Sequence, residues 1–470
     1  MLTLALLALL SAEPPVPPRP ELPSQLITGV SRDRIQADVE TLAGFGTRHS
    51  LSRTDSETRG IGAARNWIKT ELEAAATAAG GKLQVSFEEF TAPKSQRVPQ
   101  PHPFVNVVAV LPGTMPEAAQ RRYYVVGHYD SMCADVMNPD CDSPGANDDA
   151  SGTAVTMELA RVLAAHPLES TVVFLCTPGE EQGLIGAKYH ADQAKTRGEK
   201  ILGVLNNDIV GDPYGKYNPL AQADLQGDFN MDRLLRRDQG DVNLRDLRTT
   251  IRIFSEGVPR SATTEQLAQI RSLAGEYDSP SRQLARYIVG VAAIENTTLK
   301  PKLVFRLDRF LRGGDHSMFN DNGFPAVRFT VPIEDYSRQH ANVAPKGGRP
   351  YGDLPEYCDF GYIADVARLN GLTLIHMANA PSPPARARII TARLGTDTTI
   401  RWEKSPEPDV AGYEVVWRDT TSPTWDHAVN AGAATELTLD LGKDDVFFGV
   451  RAYDKDGYRS PVVFAGVARE

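Results

Sequence analysis

The sequence predicts an α/β fold: a three-layer α/β/α sandwich with a mostly parallel or mixed central sheet, followed by a C-terminal all-β sandwich. Two observations support it. Short apolar runs typical of strands alternate with segments whose apolar residues recur at helical spacing. Further on, the proline-rich run ANAPSPPARA precedes a stretch with strand-like patterns only.

Length and composition limit the class of protein. At 470 residues the chain is long enough for more than one domain, and we expect two. The hydrophobic fraction of 41% and the charged fraction of 23% are typical of a soluble globular protein. The formal net charge of −10 would repel a phosphate backbone, so nucleic acid is excluded as a partner.

The N-terminal residues resemble an export signal. Residues 1–12, MLTLALLALLSA, form an apolar run ending in small residues and are predicted to be a signal peptide, and residues 13–25 a proline-rich linker. About ten apolar residues are too few to cross a bilayer, which needs about 20, and no later segment is long enough. We therefore expect a secreted or periplasmic protein without a membrane span.

The α/β part is assigned to residues 26–380. Two helical patterns come first, SRDRIQADVETLAGF and AARNWIKTELEAAATAAG, and helical segments then separate several strand-like runs. The predicted strands are VSFEEF, FVNVVAVLPG, RRYYVVGHYD, TVVFLC, ILGVLNND, LVFRLD and FPAVRFT. Residues 213–300 are more polar, and we interpret them as an elaboration beside the mouth of the active site; a small independent subdomain is the alternative.

The C-terminal part, residues 381–470, is predicted to be all β. Its runs TTIRWEKS, GYEVVWRD, ATELTLDL and VFFGVRAYD alternate apolar and polar positions. With Trp402 in an early strand and Tyr413 in the next, it resembles a fibronectin type III module.

Four cysteines are present. Cys133 and Cys141 flank a short loop and can form a disulfide in an oxidising compartment. Cys176 lies in the apolar run TVVFLC and is predicted to be a buried thiol, and Cys358 has no evident partner.

Side chains able to bind a metal ion recur where predicted strands end. Five potential nitrogen and oxygen ligands follow one another at strand-to-helix or strand-to-loop transitions, the edge where α/β enzymes build their sites. They are His128, Asp148, Glu181, Asp208 and His316.

Each motif taken alone has an ordinary alternative. Asp130 could fix the tautomer of His128 that binds a metal, but a histidine at a strand end is more often packed or solvated. Asp148 could bridge two cations or cap the following helix. In the adjacent pair Glu180 and Glu181, one could be a ligand and the other a general base, or both could be surface residues at a helix start.

The ordered motifs together resemble a known family. HYD, GANDDASG, GEEQGLIGA, NND and GGDH are similar to the motifs of the zinc-dependent aminopeptidases that include bacterial leucyl aminopeptidase and aminopeptidase S, with glutaminyl cyclases as relatives. The resemblance extends over about residues 30–380, as expected for one catalytic domain.

The resemblance implies two Zn²⁺ ions on the edge of a zinc exopeptidase sandwich. It makes Asp148 the bridging ligand, with His128 and Asp208 completing one zinc site. Glu181 and His316 complete the other.

It also implies roles beyond the ligands. Glu180 matches the catalytic general base, and Asp130 matches the partner of His128. Gln339 and His340 are candidates for the pocket wall or for structural packing. Four tyrosines are candidate oxyanion donors: Tyr214, Tyr277, Tyr287 and Tyr336.

The expected activity is hydrolysis of peptides with a free N-terminus, releasing N-terminal amino acids. Three alternatives stay open: a glutaminyl cyclase, a carboxypeptidase or dipeptidase on the same scaffold, and a non-catalytic binding module. The sequence does not determine the oligomeric state.

Overall fold

The structure is a computed structural model that describes residues 17–218, 243–346, 349–392 and 395–468. The predicted signal peptide, residues 1–12, lies outside the described residues, as do parts of the predicted linker 13–25 and of the segment 213–300. The chain forms two compact units: Glu21–Asn379, and a second unit that begins at Ala380 and includes the described residues up to Pro20.

A mixed eight-stranded sheet forms the centre of the first unit, in the order β1-β2-β4-β3-β5-β8-β6-β7. The strands are β1 Gln84–Ala92, β2 His102–Leu111, β3 Arg121–His128, β4 Thr171–Thr177, β5 Lys200–Asn207, β6 Thr250–Ser255, β7 Lys300–Val304 and β8 Ala326–Thr330. The four strands β4, β3, β5 and β8 are mutually parallel, and β1 with β2 and β6 with β7 extend the sheet on its two sides. This confirms the predicted mixed sheet.

Helices cover both faces of the sheet. The described helices of this unit are α1 Leu22–Ile27, α2 Arg32–Gly44, α3 Ile61–Ala78, α4 Ser151–Leu163, α5 Ile185–Thr196, α6 Leu244–Arg248, α7 Thr264–Ser272, α8 Pro280–Ile294, α9 His316–Asp321 and α10 Phe360–Asn379. Helices α1 to α4, α8 and α10 pack together on one face, and α5 packs with α9 on the other. The predicted three-layer α/β/α sandwich is confirmed.

Alternation along the strands explains why both faces are covered. Val125 of β3 belongs to the core beneath α4 and α10, whereas its neighbours Tyr124 and Val126 belong to the core beneath α5 and α9. Successive side chains of a strand point to opposite faces, so a strand that is apolar throughout needs a helical layer on each side.

Two expectations about the borders of the α/β region are corrected. Within the described part of 213–300, β6 pairs with β7 and β8 in the central sheet and α8 packs on it, so these segments belong to the sandwich itself and are not an elaboration beside it. Helix α1 begins at Leu22, inside the stretch predicted as linker, where Pro23 stands in the first helical turn. Proline fits there because the first backbone N–H groups of a helix have no partner within it.

Two small strands follow the sheet, β9 Ala344–Lys346 and β10 Arg349–Tyr351, which pair antiparallel. In the second unit, two four-stranded sheets, in the orders β15-β12-β11-β18 and β14-β13-β16-β17, form an all-β fold, as predicted. Its strands are β11 Ala385–Ile390, β12 Thr398–Glu403, β13 Val410–Asp419, β14 His427–Gly432, β15 Glu436–Leu439, β16 Val446–Asp454, β17 Val463–Phe464 and β18 Gly466–Ala468. Trp402 and Tyr413 lie together in its core, with ring centroids 5.8 Å apart. The resemblance to fibronectin type III stays a prediction.

Two of the four cysteines form a disulfide and two are free thiols. Cys133 and Cys141 are joined by a disulfide, with their Cα atoms 6.5 Å apart. Cys176 is a buried free thiol, and Cys358 is a half-buried one. Within the described residues, no helix is both long and apolar enough to traverse a lipid bilayer.

Candidate metal centre

Three neighbouring parallel strands bring most of the predicted ligands to one edge of the sheet. β3 ends at His128, β5 is followed by Asp208, and the turn after β4 contains Glu180 and Glu181. Because parallel strands end at the same edge, residues far apart in sequence meet there.

Asp148 reaches the same edge from the turn before α4. The backbone N–H groups of Asn147 and Asp148 each donate to the carboxylate of Asp353 at 2.8 Å, which fixes this turn. The close approach of α4 requires glycine, since a Cβ at Gly152 would lie 2.1 Å from the carbonyl oxygen of Asn207. Asp149 does not join Asp148 as a ligand. Its carboxylate instead accepts from backbone N–H groups, including that of Gly152 at the start of α4.

The potential ligands fall into two groups, in each of which one ligand atom per residue lies within 4.8 Å of the others. The groups are His128, Glu180 and Asp208, and Asp148, Glu181 and His340. They meet at Asp148: its Oδ1 is 3.1 Å from Nε2 of His128, and its Oδ2 is 2.9 Å from Nε2 of His340.

Several atoms of these groups fit a bound cation. In the described part of the chain, the buried atoms Nε2 of His128 and Oδ2 of Asp208 have no hydrogen-bond partner. A buried polar atom without a partner is costly, and a metal ion would satisfy both. Imidazole nitrogen and carboxylate oxygen are ligands that suit zinc.

His340 is the site residue whose role the sequence did not reveal. It follows β8, which runs parallel to β5, and its Nε2 lies 3.1 Å from Oε1 of Glu181. The preceding Gln339 donates from Nε2 to Oδ2 of Asp148 at 2.7 Å. The signal available in the sequence was only a histidine beyond the predicted strand FPAVRFT, without the immediate strand end that had singled out His128.

His316, predicted to complete the second zinc site, lies outside both groups. Its Nε2 is 2.9 Å from the carbonyl oxygen of Leu307 and 3.7 Å from Asp308. The guanidinium of Arg328 contacts both Asp208, at 2.7 Å, and Asp308, at 3.2 Å. It therefore lies between Asp208, a residue of the site, and Asp308, the carboxylate beside His316. The pairing of Glu181 with His316 is thus corrected to a pairing with His340.

Asp130 occupies the position expected of a residue that orients His128. It is fully buried, with Oδ1 3.3 Å from Nδ1 of His128. Ser50 and the backbone N–H groups of Glu180 and Glu181 donate to the same carboxylate. Asp130 therefore links the histidine to the turn that carries both glutamates.

Burial and crowding of like charges shift the pKa values at the site. Burial raises the pKa of Glu180 well above its ordinary value, and the charges of Asp208 and Glu181 raise it further. Burial opposes protonation of His340, but Glu181 and Asp148 outweigh it and raise its pKa to about 11. The site therefore favours positive charge, either as protons or as a metal cation.

A pocket of about 400 Å³ opens onto these groups. Its lining includes the site residues Asp148, Glu180, Glu181, Asp208 and His340. Of the four candidate oxyanion donors, none is among the described residues that line it; Tyr277 and Tyr336 are 55% and 62% exposed.

Comparisons with known proteins identify the family. Residues 106–248 match the description of peptidase family M28. A probable zinc metalloprotease from Pyrenophora tritici-repentis is 41% identical over 96% of this chain and 88% of its own length. Another from Leptosphaeria maculans is 41% identical over 96% of this chain and 98% of its own length.

The fold is shared with solved bacterial structures. LapA from Legionella pneumophila superposes with a TM-score of 0.51 at 17% identity, covering 76% of each chain. A second structure, named LapA aminopeptidase, gives a TM-score of 0.50 at 16% identity, covering 79% of this chain and 78% of its own. From the long, well-covered alignments with the two fungal relatives and the family match across β3, β4 and β5, we conclude that this chain belongs to the zinc metalloproteases of peptidase family M28.

Proposed function

We propose that the protein releases N-terminal amino acids from peptides at a centre that holds two zinc ions. The observation that carries this proposal is the position of Asp148, whose two carboxylate oxygens each face a different histidine, His128 and His340. A carboxylate so placed could provide one oxygen to each of two metal ions. The ligands are then His128 and Asp208 on one side, Glu181 and His340 on the other.

Zinc bound there supplies Lewis-acid chemistry: it polarises a substrate carbonyl and makes water more acidic. Glu180 is the general base, because it lines the pocket beside His128 and Asp208 and its carboxylate is not needed as one of the ligands named above. It takes the proton of the attacking water and delivers it to the leaving amine. Asp130 keeps His128 in one tautomer.

Preference for the N-terminus has two supports. Carboxylates line the base of the pocket and would attract a free α-amino group, whereas an acetylated one would lose that contact. One solved structure with the same fold is named an aminopeptidase. A glutaminyl cyclase or a carboxypeptidase would need the same edge but different substrates.

The test is release of p-nitroaniline from a panel of aminoacyl anilides by metal-free and zinc-loaded protein. We expect zinc to restore cleavage and N-acetylated anilides to resist it. Glu180→Gln should lower kcat by about 10²–10⁴-fold while retaining zinc, because only proton transfer is lost. Glu117→Gln, on the exposed surface, is the matched control.

Other outcomes would replace the proposal. Pyroglutamate formation from a peptide with N-terminal glutamine, without anilide cleavage, would indicate a cyclase. Removal of C-terminal residues from N-acetylated peptides would indicate a carboxypeptidase. A folded, zinc-loaded protein inert in all these assays would indicate a binding module.

We further propose that the protein works outside the cytosol, secreted or periplasmic. The disulfide between Cys133 and Cys141 supports this, since such bonds persist in oxidising compartments. Counting free thiols in protein purified without reductant from its native source tests the proposal: four would contradict it.

A further inference from the structure

We propose that Arg97 and Arg312, at the rim of the pocket, bind a carboxylate of the peptide substrate. This inference rests on the proposed peptidase function and adds a substrate class: short peptides that carry a negative charge near the scissile bond.

The charges of the pocket are segregated. Carboxylates of the metal centre form its base, whereas three arginines, Arg97, Arg309 and Arg312, contribute to its lining. A short peptide has a free amine at one end and a carboxylate a few atoms away, so its charge distribution matches that of the pocket.

Arg97 is free to take a ligand. It is exposed, and Nη1 donates to the backbone carbonyl of Glu181 at 2.7 Å. Within the described ranges, no carboxylate lies at ion-pair distance from it. A guanidinium has five N–H donors in a planar fork, so most of them are available to a substrate carboxylate.

Arg312 faces a glutamate that is already paired with two other arginines. Its Nη1 lies 3.7 Å from Glu334, whose carboxylate pairs more closely with Arg252, at 2.7 Å, and Arg309, at 2.8 Å. One carboxylate thus faces three guanidinium groups, and Arg312 is the most distant of the three from it, so its charge is the least neutralised by Glu334. Of these three arginines, Arg312 has the most exposed side chain, at 33%.

Both arginines border the metal centre, one by a direct contact and the other through one intervening residue. Arg97 contacts Glu181 itself, and Arg312 donates to Oε1 of Gln339, whose amide nitrogen donates to Asp148. One extended residue spans about 3.3–3.6 Å. We therefore place the carboxylate on the residue after the scissile bond, the part of a bound peptide that leaves the metal centre next to these two side chains.

That carboxylate has two possible sources, the side chain of an acidic second residue or the free C-terminus of a dipeptide. Four peptides distinguish them: X-Glu-amide against X-Gln-amide, and X-Ala with a free C-terminus against X-Ala-amide, where X is the residue cleaved best from the anilide panel. We expect at least one charged peptide to have about tenfold higher kcat/KM than its neutral partner, falling with added salt.

Arg97→Gln combined with Arg312→Gln should reduce that preference to about twofold or less, mainly through a higher KM for the charged peptide. Arg97→Lys combined with Arg312→Lys keeps the charge and should retain part of the preference. Arg306→Gln, which removes an exposed arginine outside the pocket lining, should leave it unchanged.

If Arg97 and Arg312 had only a structural role, replacing them would lower kcat/KM for charged and neutral peptides alike and leave the ratio of the two values intact. That result would overturn the inference. So would equal cleavage of charged and neutral peptides by the wild type. Failure to cleave any of the four peptides would instead contradict the proposed function, so the two failures are distinguishable.

Discussion

Two buried clusters of charge lie side by side in the α/β unit, and only one has the composition of a metal site. The ligand cluster contains His128, Asp148, Glu180, Glu181, Asp208 and His340. The arginine cluster contains Asp308, Arg309, His316, Arg328 and Glu334. Each cluster contains a histidine that the sequence analysis considered for the site: His340 in the ligand cluster and His316 in the arginine cluster.

In the arginine cluster, carboxylates and guanidinium groups balance. Arg309 pairs with Asp308 at 3.1 Å and with Glu334 at 2.8 Å, and Arg328 pairs with Asp308 at 3.2 Å. These charges lower the pKa values of Asp308 and Glu334 despite their burial. Such a cluster is complete without an added ion.

In the ligand cluster, carboxylates outnumber their partners. Among the described residues, no lysine or arginine side chain lies at ion-pair distance from the carboxylates of Asp148, Glu180 or Glu181. Burial and neighbouring carboxylates raise the pKa values of both glutamates. The comparison teaches that the shortage of cations, and not the presence of a buried histidine beside a carboxylate, marks the metal site.

The largest effect that tests this comparison is expected from His340→Ala against His316→Ala. Removing His340 should lower zinc content and kcat/KM by roughly 100-fold or more, since even loss of a residue outside the ligand shell costs 10–100-fold. Removing His316 should leave zinc content unchanged and cost about 1–3 kcal/mol of stability through its lost packing and hydrogen bond. Zinc analysis, anilide cleavage and urea unfolding measure these effects.

The reverse pattern would break the comparison. If His316→Ala lost zinc while remaining folded and His340→Ala kept it, the ligand assigned from the sequence would be restored.

A smaller effect is expected from Asp130→Asn. One oxygen of Asp130 accepts from the N–H of Glu180 and faces Nδ1 of His128 at 3.3 Å, and the other accepts from the N–H of Glu181. An amide keeps only one accepting oxygen, so these contacts cannot all be kept and the histidine is less well oriented. We expect zinc affinity or activity to fall by about 10–100-fold. Competition with a zinc chelator measures the affinity, and Asp33→Asn, at an exposed site, is the control. Unchanged affinity and activity would exclude an orienting role for Asp130.

The smallest effect is expected in the arginine cluster, from a substitution of Glu334. Because the pKa of Glu334 in the folded protein lies below its ordinary value of 4.5, its ionised form contributes stability that is fully present above that pH and lost as pH falls through the folded-state pKa. Glu334→Gln should therefore cost about 2 kcal/mol at neutral pH, and the cost should shrink below about pH 4.5.

Urea unfolding of both proteins across this pH range measures the difference, with Glu117→Gln as control. Zinc content should not change. A cost that is independent of pH would show that Glu334 acts through shape and not through charge.

Much of the fold followed from local patterns. β3, β4 and β5 are apolar runs between helices, and such runs are predictable because strands buried on both faces are apolar throughout. β6 was missed because its sequence, TIRIFS, has only three apolar residues and lies inside a polar region. Only pairing with β8 and β7 gives it a place in the sheet.

The residues of the site also divide into those that the sequence predicted and one that it did not. His128, Glu180, Glu181 and Asp208 each follow a strand of the parallel set closely, so the order of the motifs was enough to bring them together. The position of His340 depends on a longer connection after β8.

The sequence by itself determined the class of fold, the family resemblance, and most of the residues that meet at the candidate metal centre: His128, Asp130, Asp148, Glu180, Glu181 and Asp208. These depend on short segments that the chain direction of parallel strands places at one edge. Only the tertiary structure decided between His316 and His340, because it inserts Arg328 between Asp208 and Asp308 and turns the segment after β8 back onto Asp148. Histidines equally suitable in sequence thus acquire different roles from the charges that packing places beside them.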